Sequence, residues 1–163
     1  MRKTFRNSSG KMQPRHIKNL CGFALMMKYY IDTSIWRDYY ENRADRFRPL
    51  GEWAFELFKK IKQLKDMVLF STLTIEELSK DFDEGAISKI FRSVKEAGCL
   101  GRVEISQEQR MRAAILRRET GAHFSDALHA IVAADNGAIM VTRDAHFNFL
   151  RHIVEVKKPE ELI

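Results

Sequence analysis

The sequence predicts an α/β fold, a three-layer α/β/α arrangement around a central, mostly parallel sheet. Short, apolar, β-branched runs such as Met67–Ser71 and Ala138–Thr142 suit strands buried on both faces. Stretches with helical periodicity alternate with these runs from end to end, without repeats or low-complexity segments. Acids fall just beyond the strand ends, where open parallel sheets place their ligands.

Residues 1–26 carry Arg2, Lys3, Arg6, Lys11, Arg15 and Lys18, no acid, and no sustained periodicity. The expectation is a basic, poorly ordered extension preceding a domain at 27–163. Such an arm can bind phosphate backbones by counterion release; the competing expectation is a true start at Met26 or Met27. The chain has 28 Lys and Arg against 22 Asp and Glu, a net charge of +6. The arm supplies all of that excess, so the domain is neutral and the pI near 9.4 says nothing about its function.

Lys28–Ile31 reads as a short strand ending at Asp32, and Thr33 or Ser34 can cap a helix through Tyr40. After Pro49, the residues Leu50, Trp53, Ala54, Leu57, Phe58, Ile61 and Leu64 trace one helical face. Met67–Ser71 is the second strand, followed by a helix over 72–81 that carries Glu76 and Glu77. A further helix spans about 84–96, and Gly98 ends it. The third strand is 101–105. Ser106 to Gln109 has the form of a capping box and opens a helix to about Thr120, closed by Gly121. Ser125 is read as the N-cap of the next helix, which stops at Asn136-Gly137. Ala138–Thr142 is the fourth strand and His152–Val156 the last.

Hydrophobic content of 45% and charged content of 31% are ordinary for a globular domain. No apolar run approaches a membrane span. Cys21 and Cys99 are too few for a disulfide framework or a zinc site, so free thiols and a cytoplasmic setting are expected.

On this scaffold Asp32, Glu76 or Glu77, Asp126 and Asp144 gather at the carboxyl edge of the sheet. Clustered carboxylates repel one another, and a hard divalent cation such as Mg²⁺ or Mn²⁺ removes that cost. Such a site can activate water against a phosphodiester. The alternative for each acid alone is structural: Asp126 caps a helix and Asp144 opens a turn. There is no Ser-His-Asp signature, phosphate-cradling glycine loop or His-Glu-x-x-His.

Tyr29–Trp36, Ser71–Leu78, Phe124–Ala133 and Met140–Phe147 resemble, in order, the four signature blocks of PIN domains. The resemblance implies a metal-dependent ribonuclease, and among small members a VapC-like toxin of a toxin–antitoxin pair. It assigns the metal and catalytic role to Asp32, Glu77 (which directly precedes leucine, as the family acid does), Asp126 and Asp144. Thr142 and Ser34 support them. It implies hydrolysis leaving a 3′-hydroxyl and a 5′-phosphate, and a homodimer. From the acidic edge itself, an antitoxin is expected to set an arginine or lysine among the carboxylates and an apolar helix near Trp36–Tyr40 and residues 50–65. A stand-alone enzyme of ribosomal or transfer RNA processing and a non-catalytic binding module are the rival readings.

Other residues at this edge have ordinary readings too. His129 lies one turn after Asp126 and is read as packing behind the carboxylates. His123 and His146 are loop histidines of no assigned role. Arg37 and Arg143 either meet RNA phosphates or form ion pairs. Trp36, Tyr39 and Tyr40 stack on bases or belong to the core. Arg110, Arg112, Arg117 and Arg118 form a solvated face.

Overall fold

The computed structural model describes residues 25–163, so the expectations for the first 24 residues lie outside it. The strands are β1 (Lys28–Ile31), β2 (Met67–Ser71), β3 (Leu100–Val103), β4 (Ile139–Val141) and β5 (Val156–Lys157). They form one sheet in the order β3-β2-β1-β4-β5, and every described pairing is parallel. The helices are α1 (Thr33–Glu41), α2 (Leu50–Leu64), α3 (Thr72–Leu78), α4 (Glu84–Glu96), α5 (Gln107–Thr120) and α6 (Phe124–Asp135), with 3₁₀ segments at Ala145–Leu150 and Pro159–Glu161.

Strand side chains alternate in direction, so each strand feeds two cores. Tyr30, Leu69 and Met140 face one way and pack with Ala113 and Leu116 of α5, Leu128 and Ile131 of α6, and Phe147. Ile31, Val68 and Val141 face the other way, toward Ile35 and Trp36 of α1, Phe58 and Ile61 of α2, and Ile90 and Val94 of α4. These are the three layers the sequence predicts. The chain winds outward from β1 through β2 to β3, returns across the sheet to β4, and continues to β5. The winding therefore reverses between β1 and β4, and the carboxyl ends of these two strands are where open parallel sheets place their ligand crevice.

Helices α3 and α6 and strands β3, β4 and β5 differ from their expected bounds, β4 holding only Ile139–Val141 of the expected 138–142. Helix α6 is capped at His123, not Ser125: His123 is extended, and its carbonyl accepts from Ala127 N at 3.0 Å, so Ser125 already lies inside the first turn. Asp126 stays in that turn, where the helix dipole favours a carboxylate. Helix α3 stops at Leu78, because Asp83 starts α4 by accepting from Ala86 N at 2.7 Å and the chain must turn before it. β3 starts and ends earlier than 101–105, in the register that pairs Val68 with Leu100 and Ser71 with Val103. The run His152–Val156 has strand propensity, yet β5 holds only Val156–Lys157. Ile153 N and Val154 N instead bond back to Leu150 O, a turn that buries Leu150 and Val154 against α6. Burial overrides propensity there.

Candidate metal centre

The four predicted acids all lie at the crevice, in two groups. Asp32, at the end of β1, is 8% exposed and caps α1 with its backbone. Its Oδ2 accepts from Ser34 Oγ at 2.5 Å and from Thr142 Oγ1 at 2.9 Å. The cap is thus Asp32 itself, not Thr33 or Ser34; their hydroxyls serve the carboxylates. Glu77 projects from α3, and its Oε2 accepts from Thr33 Oγ1 at 2.5 Å and lies 3.2 Å from His129 Nε2. Ligand-capable atoms of Asp32, Glu77 and His129 fall within 4.8 Å of one another. Glu76, one position earlier on α3, is exposed.

The second group comes from α6 and the loop after β4. Ligand-capable atoms of Asp126, Asp144 and His146 also lie within 4.8 Å of one another. Asp144 Oδ1 accepts from His146 N at 2.8 Å and lies 3.1 Å from His146 Nδ1. Thr142 joins the groups: while donating to Asp32 it accepts from Asp144 N at 3.0 Å. Asp126 differs from the others, because its buried Oδ2 has no hydrogen-bond partner among the described residues.

The electrostatics follow these contacts. Burial raises the Asp126 carboxyl above the usual range, and the negative charges of Asp144 and Asp32 add to the rise more than His123 and His129 relieve it. Burial also pushes Glu77 upward, but the hydrogen bond and field of His129, with Thr33 and Lys80, hold it below the ordinary value. A divalent cation fits this donor set. It would satisfy the orphaned oxygen of Asp126 and cancel the repulsion, and oxygen-rich sets of this kind suit Mg²⁺ or Mn²⁺.

Among the described residues, Asp32, Glu77 and Asp144 each have one carboxylate oxygen held by protein donors and none on the other. Each thereby keeps one oxygen without a protein donor.

The neighbouring residues resolve the open alternatives. Arg143 is an internal clamp: Nε bonds Asp38 Oδ2 at 3.0 Å, Nη1 bonds Glu160 Oε2 at 2.6 Å, and the guanidinium lies 5.3 Å from the Trp53 ring centroid. Asp38 is buried deeply enough that its carboxyl is raised in spite of Arg143. Arg37 pairs with Asp81, and Arg112 with Asp135. Trp36 is 0% exposed and stacks on Phe58, so it is core and cannot receive a base or a partner's helix. Tyr40, Phe55 and Leu64 remain exposed on that side.

Sequence reasoning gave Thr33 only a capping role and His146 none, and it passed over Tyr30 and Ser71. The position of Thr33 directly after Asp32 and of His146 two residues after Asp144 was the available signal. Tyr30 and Ser71 gave none, being ordinary strand residues by type.

A family model described as the PIN domain matches residues 29–152. Among solved structures, the chain is similar to VapBC2 from Rickettsia felis bound to a promoter DNA fragment, with TM-score 0.61 and 18% identity over 81% of this chain and 98% of that one. It is similar to FitAcB from Neisseria gonorrhoeae, with TM-score 0.55 and 16% identity over 83% and 100% of the two chains. A toxin–antitoxin complex from Klebsiella pneumoniae gives TM-score 0.53 and 19% identity over 80% and 97%. At these identities the likeness is one of fold. No curated protein matches the sequence significantly.

Proposed function

Because the chain belongs to the PIN-domain family, we propose that it is a metal-dependent endoribonuclease and the toxin of a toxin–antitoxin pair. The observation that carries the chemistry is the unpartnered, buried Asp126 Oδ2, beside Asp144 and within the field of Asp32. Asp32, Glu77, Asp126 and Asp144 would hold one or two Mg²⁺ or Mn²⁺ ions. A bound ion supplies charge neutralisation on the phosphodiester and a more acidic water.

The protein's own groups set the geometry. Ser34 and Thr142 fix Asp32, Thr33 and His129 fix Glu77, and His146 fixes Asp144. Asp126 extends its orphaned oxygen from the first turn of α6, without a protein donor to turn it away. Water as the attacking group, with a 3′-hydroxyl and a 5′-phosphate as products, is what membership of the PIN family implies for such a site.

The toxin reading is supported by the solved structures the fold resembles, which include a toxin–antitoxin complex. It carries with it a homodimer, a small antitoxin partner and a cytoplasmic setting; no helix among the described residues is long and apolar enough to cross a membrane. The test is to incubate the purified protein with structured RNA and Mn²⁺, map the ends produced, and repeat with Asp32→Asn. Cleavage by the wild type and not by the variant supports the proposal. Equal cleavage by both, or none by either, sinks it. Co-purification of a small partner at equal stoichiometry would support the toxin role, and recovery of the protein with ribosomal precursors would favour RNA processing instead.

A further inference from the structure

Behind Glu77 and its His129 partner runs a chain of buried polar groups. His129 Nε2 faces Glu77 Oε2 at 3.2 Å, and His129 Nδ1 lies 2.9 Å from the Tyr30 hydroxyl. The Tyr30 hydroxyl lies 2.6 Å from Ser71 Oγ and 3.5 Å from Thr74 Oγ1. Tyr30, Ser71 and Thr74 are 0% exposed and His129 1%, so water cannot substitute for any member. The groups come from β1, the end of β2, α3 and α6, so the chain spans the sheet and two of the helices around the crevice.

The donor and acceptor roles can be assigned in order. An ionised Glu77 only accepts, so His129 Nε2 carries a proton whatever the charge of the ring. Thr33 Oγ1 donates to the same Oε2 at 2.5 Å. Two donors from opposite sides of the crevice, one on α1 and one on α6, therefore hold one oxygen of Glu77 and leave Oε1 without a donor among the described residues. Tyr30 keeps its proton at neutral pH, its hydroxyl being pushed up to about 12 chiefly by burial. The phenol is thus a fixed partner for Nδ1 and stops the ring from turning.

We propose that His129 and Tyr30 are positioning residues that lock Glu77 with Oε2 turned into the protein, so that it presents Oε1 alone to the metal. This rests on the reading of Glu77 as a ligand. Groups that orient a metal ligand from behind change metal affinity by about 10–100-fold when removed. Tyr30→Phe keeps the ring that packs in the core under α5 and α6, so loss of the hydroxyl need not unfold the protein.

Calorimetric titration of the full chain with Mn²⁺ reads the effect without turnover, with thermal melts confirming folding. His129→Leu is expected to weaken Mn²⁺ binding by about 10–100-fold. His129→Gln, which keeps an N–H within reach of Glu77, is expected to recover part of the loss, an outcome that simple packing would not give. Tyr30→Phe removes one oxygen and keeps the ring; it is expected to weaken binding several-fold, and it decides the matter if His129→Leu fails to fold. Wild-type affinity in a folded Tyr30→Phe or His129→Leu, alongside weakened binding in Glu77→Gln, overturns the proposal and leaves Glu77 as a ligand. Wild-type affinity in Glu77→Gln overturns the ligand assignment, and this proposal with it.

Discussion

The two halves of the candidate centre are built in opposite ways. Around Asp32 and Glu77, hydroxyls and an imidazole hold each carboxylate, and the assembly is sunk at the ends of β1 and α3. Around Asp126 and Asp144 the setting is open, His146 is exposed, and one buried oxygen has no partner. The first half is complete as protein. The second holds a charge that the protein does not neutralise, and that is the half a cation would stabilise most.

Breaking either half should abolish catalysis alike. Asp32→Asn and Asp126→Asn are each expected to lower Mn²⁺-dependent RNA cleavage by at least about 100-fold, because both remove charge that would hold the ion. Glu77→Gln should follow them, whereas Glu76→Gln should stay within about twofold. Initial rates on a fluorogenic RNA would show it, and equal losses at Glu76 and Glu77 would remove the distinction between them.

Stability without metal should separate the halves. Asp32→Ala removes the acceptor of the buried Thr142 hydroxyl and of the half-buried Ser34 hydroxyl and should cost about 1–3 kcal/mol. Asp126→Asn removes a charge held against its neighbours and should gain about 0.5 kcal/mol, a value kept small because the site is half open to solvent. Denaturant melts in EDTA should therefore move in opposite directions, and Mn²⁺ should stabilise the wild type more than Asp126→Asn. Movement in the same direction would mean that the halves are alike.

Thr142 belongs to both groups, so Thr142→Val, which keeps the shape and removes the hydroxyl, tests their connection. The expected cost is about 1 kcal/mol in stability and about tenfold in cleavage rate. A fully active variant would show that the halves need no common anchor.

The smallest expected effect is on pH dependence. A raised folded-state carboxyl is unfavourable when ionised, so Asp126 weakens the metal-free fold at neutral pH, and the penalty fades as pH falls toward its raised value. Glu77 has the opposite sign: its lowered value contributes stability above the unfolded-state pKa, and this is lost as pH falls through the folded one. As pH falls from neutral toward the ordinary carboxylate range in EDTA, the wild type should gain relative to Asp126→Asn. Below about pH 4 it should lose relative to Glu77→Gln. Parallel melting curves across both windows would contradict these signs.

Much of the fold was legible because it depends on periodicity. The short apolar runs of β2 and β4, the apolar face of α2 and the capping box at Ser106 are local signals, and the structure keeps each of them. The last strand was misplaced because its β-branched run is shaped by the burial of Leu150 and Val154, which no local window contains. At the site, the acids were visible as residues that follow strands or open helices. Their supporting bonds were not: Tyr30 meets His129 across 99 positions, and Thr33 meets Glu77 across 44. Arg143 reads equally as a phosphate ligand or a clamp until Asp38, 105 positions earlier, is placed beside it.

That clamp also bears on the order in which the molecule is completed. Arg143 sinks among α1, α2 and the last 3₁₀ segment, while the adjacent Asp144 joins Asp126 on the α6 side of the sheet. The loop carrying Asp144 is thus pinned by contacts that close only after distant parts of the chain have met, and each such closure carries an entropic cost before it returns any stabilisation. A nascent or half-folded chain can have β1, α1 and their buried acid in place and still lack an assembled centre. Competence arrives with the last long-range contact rather than accumulating along the way.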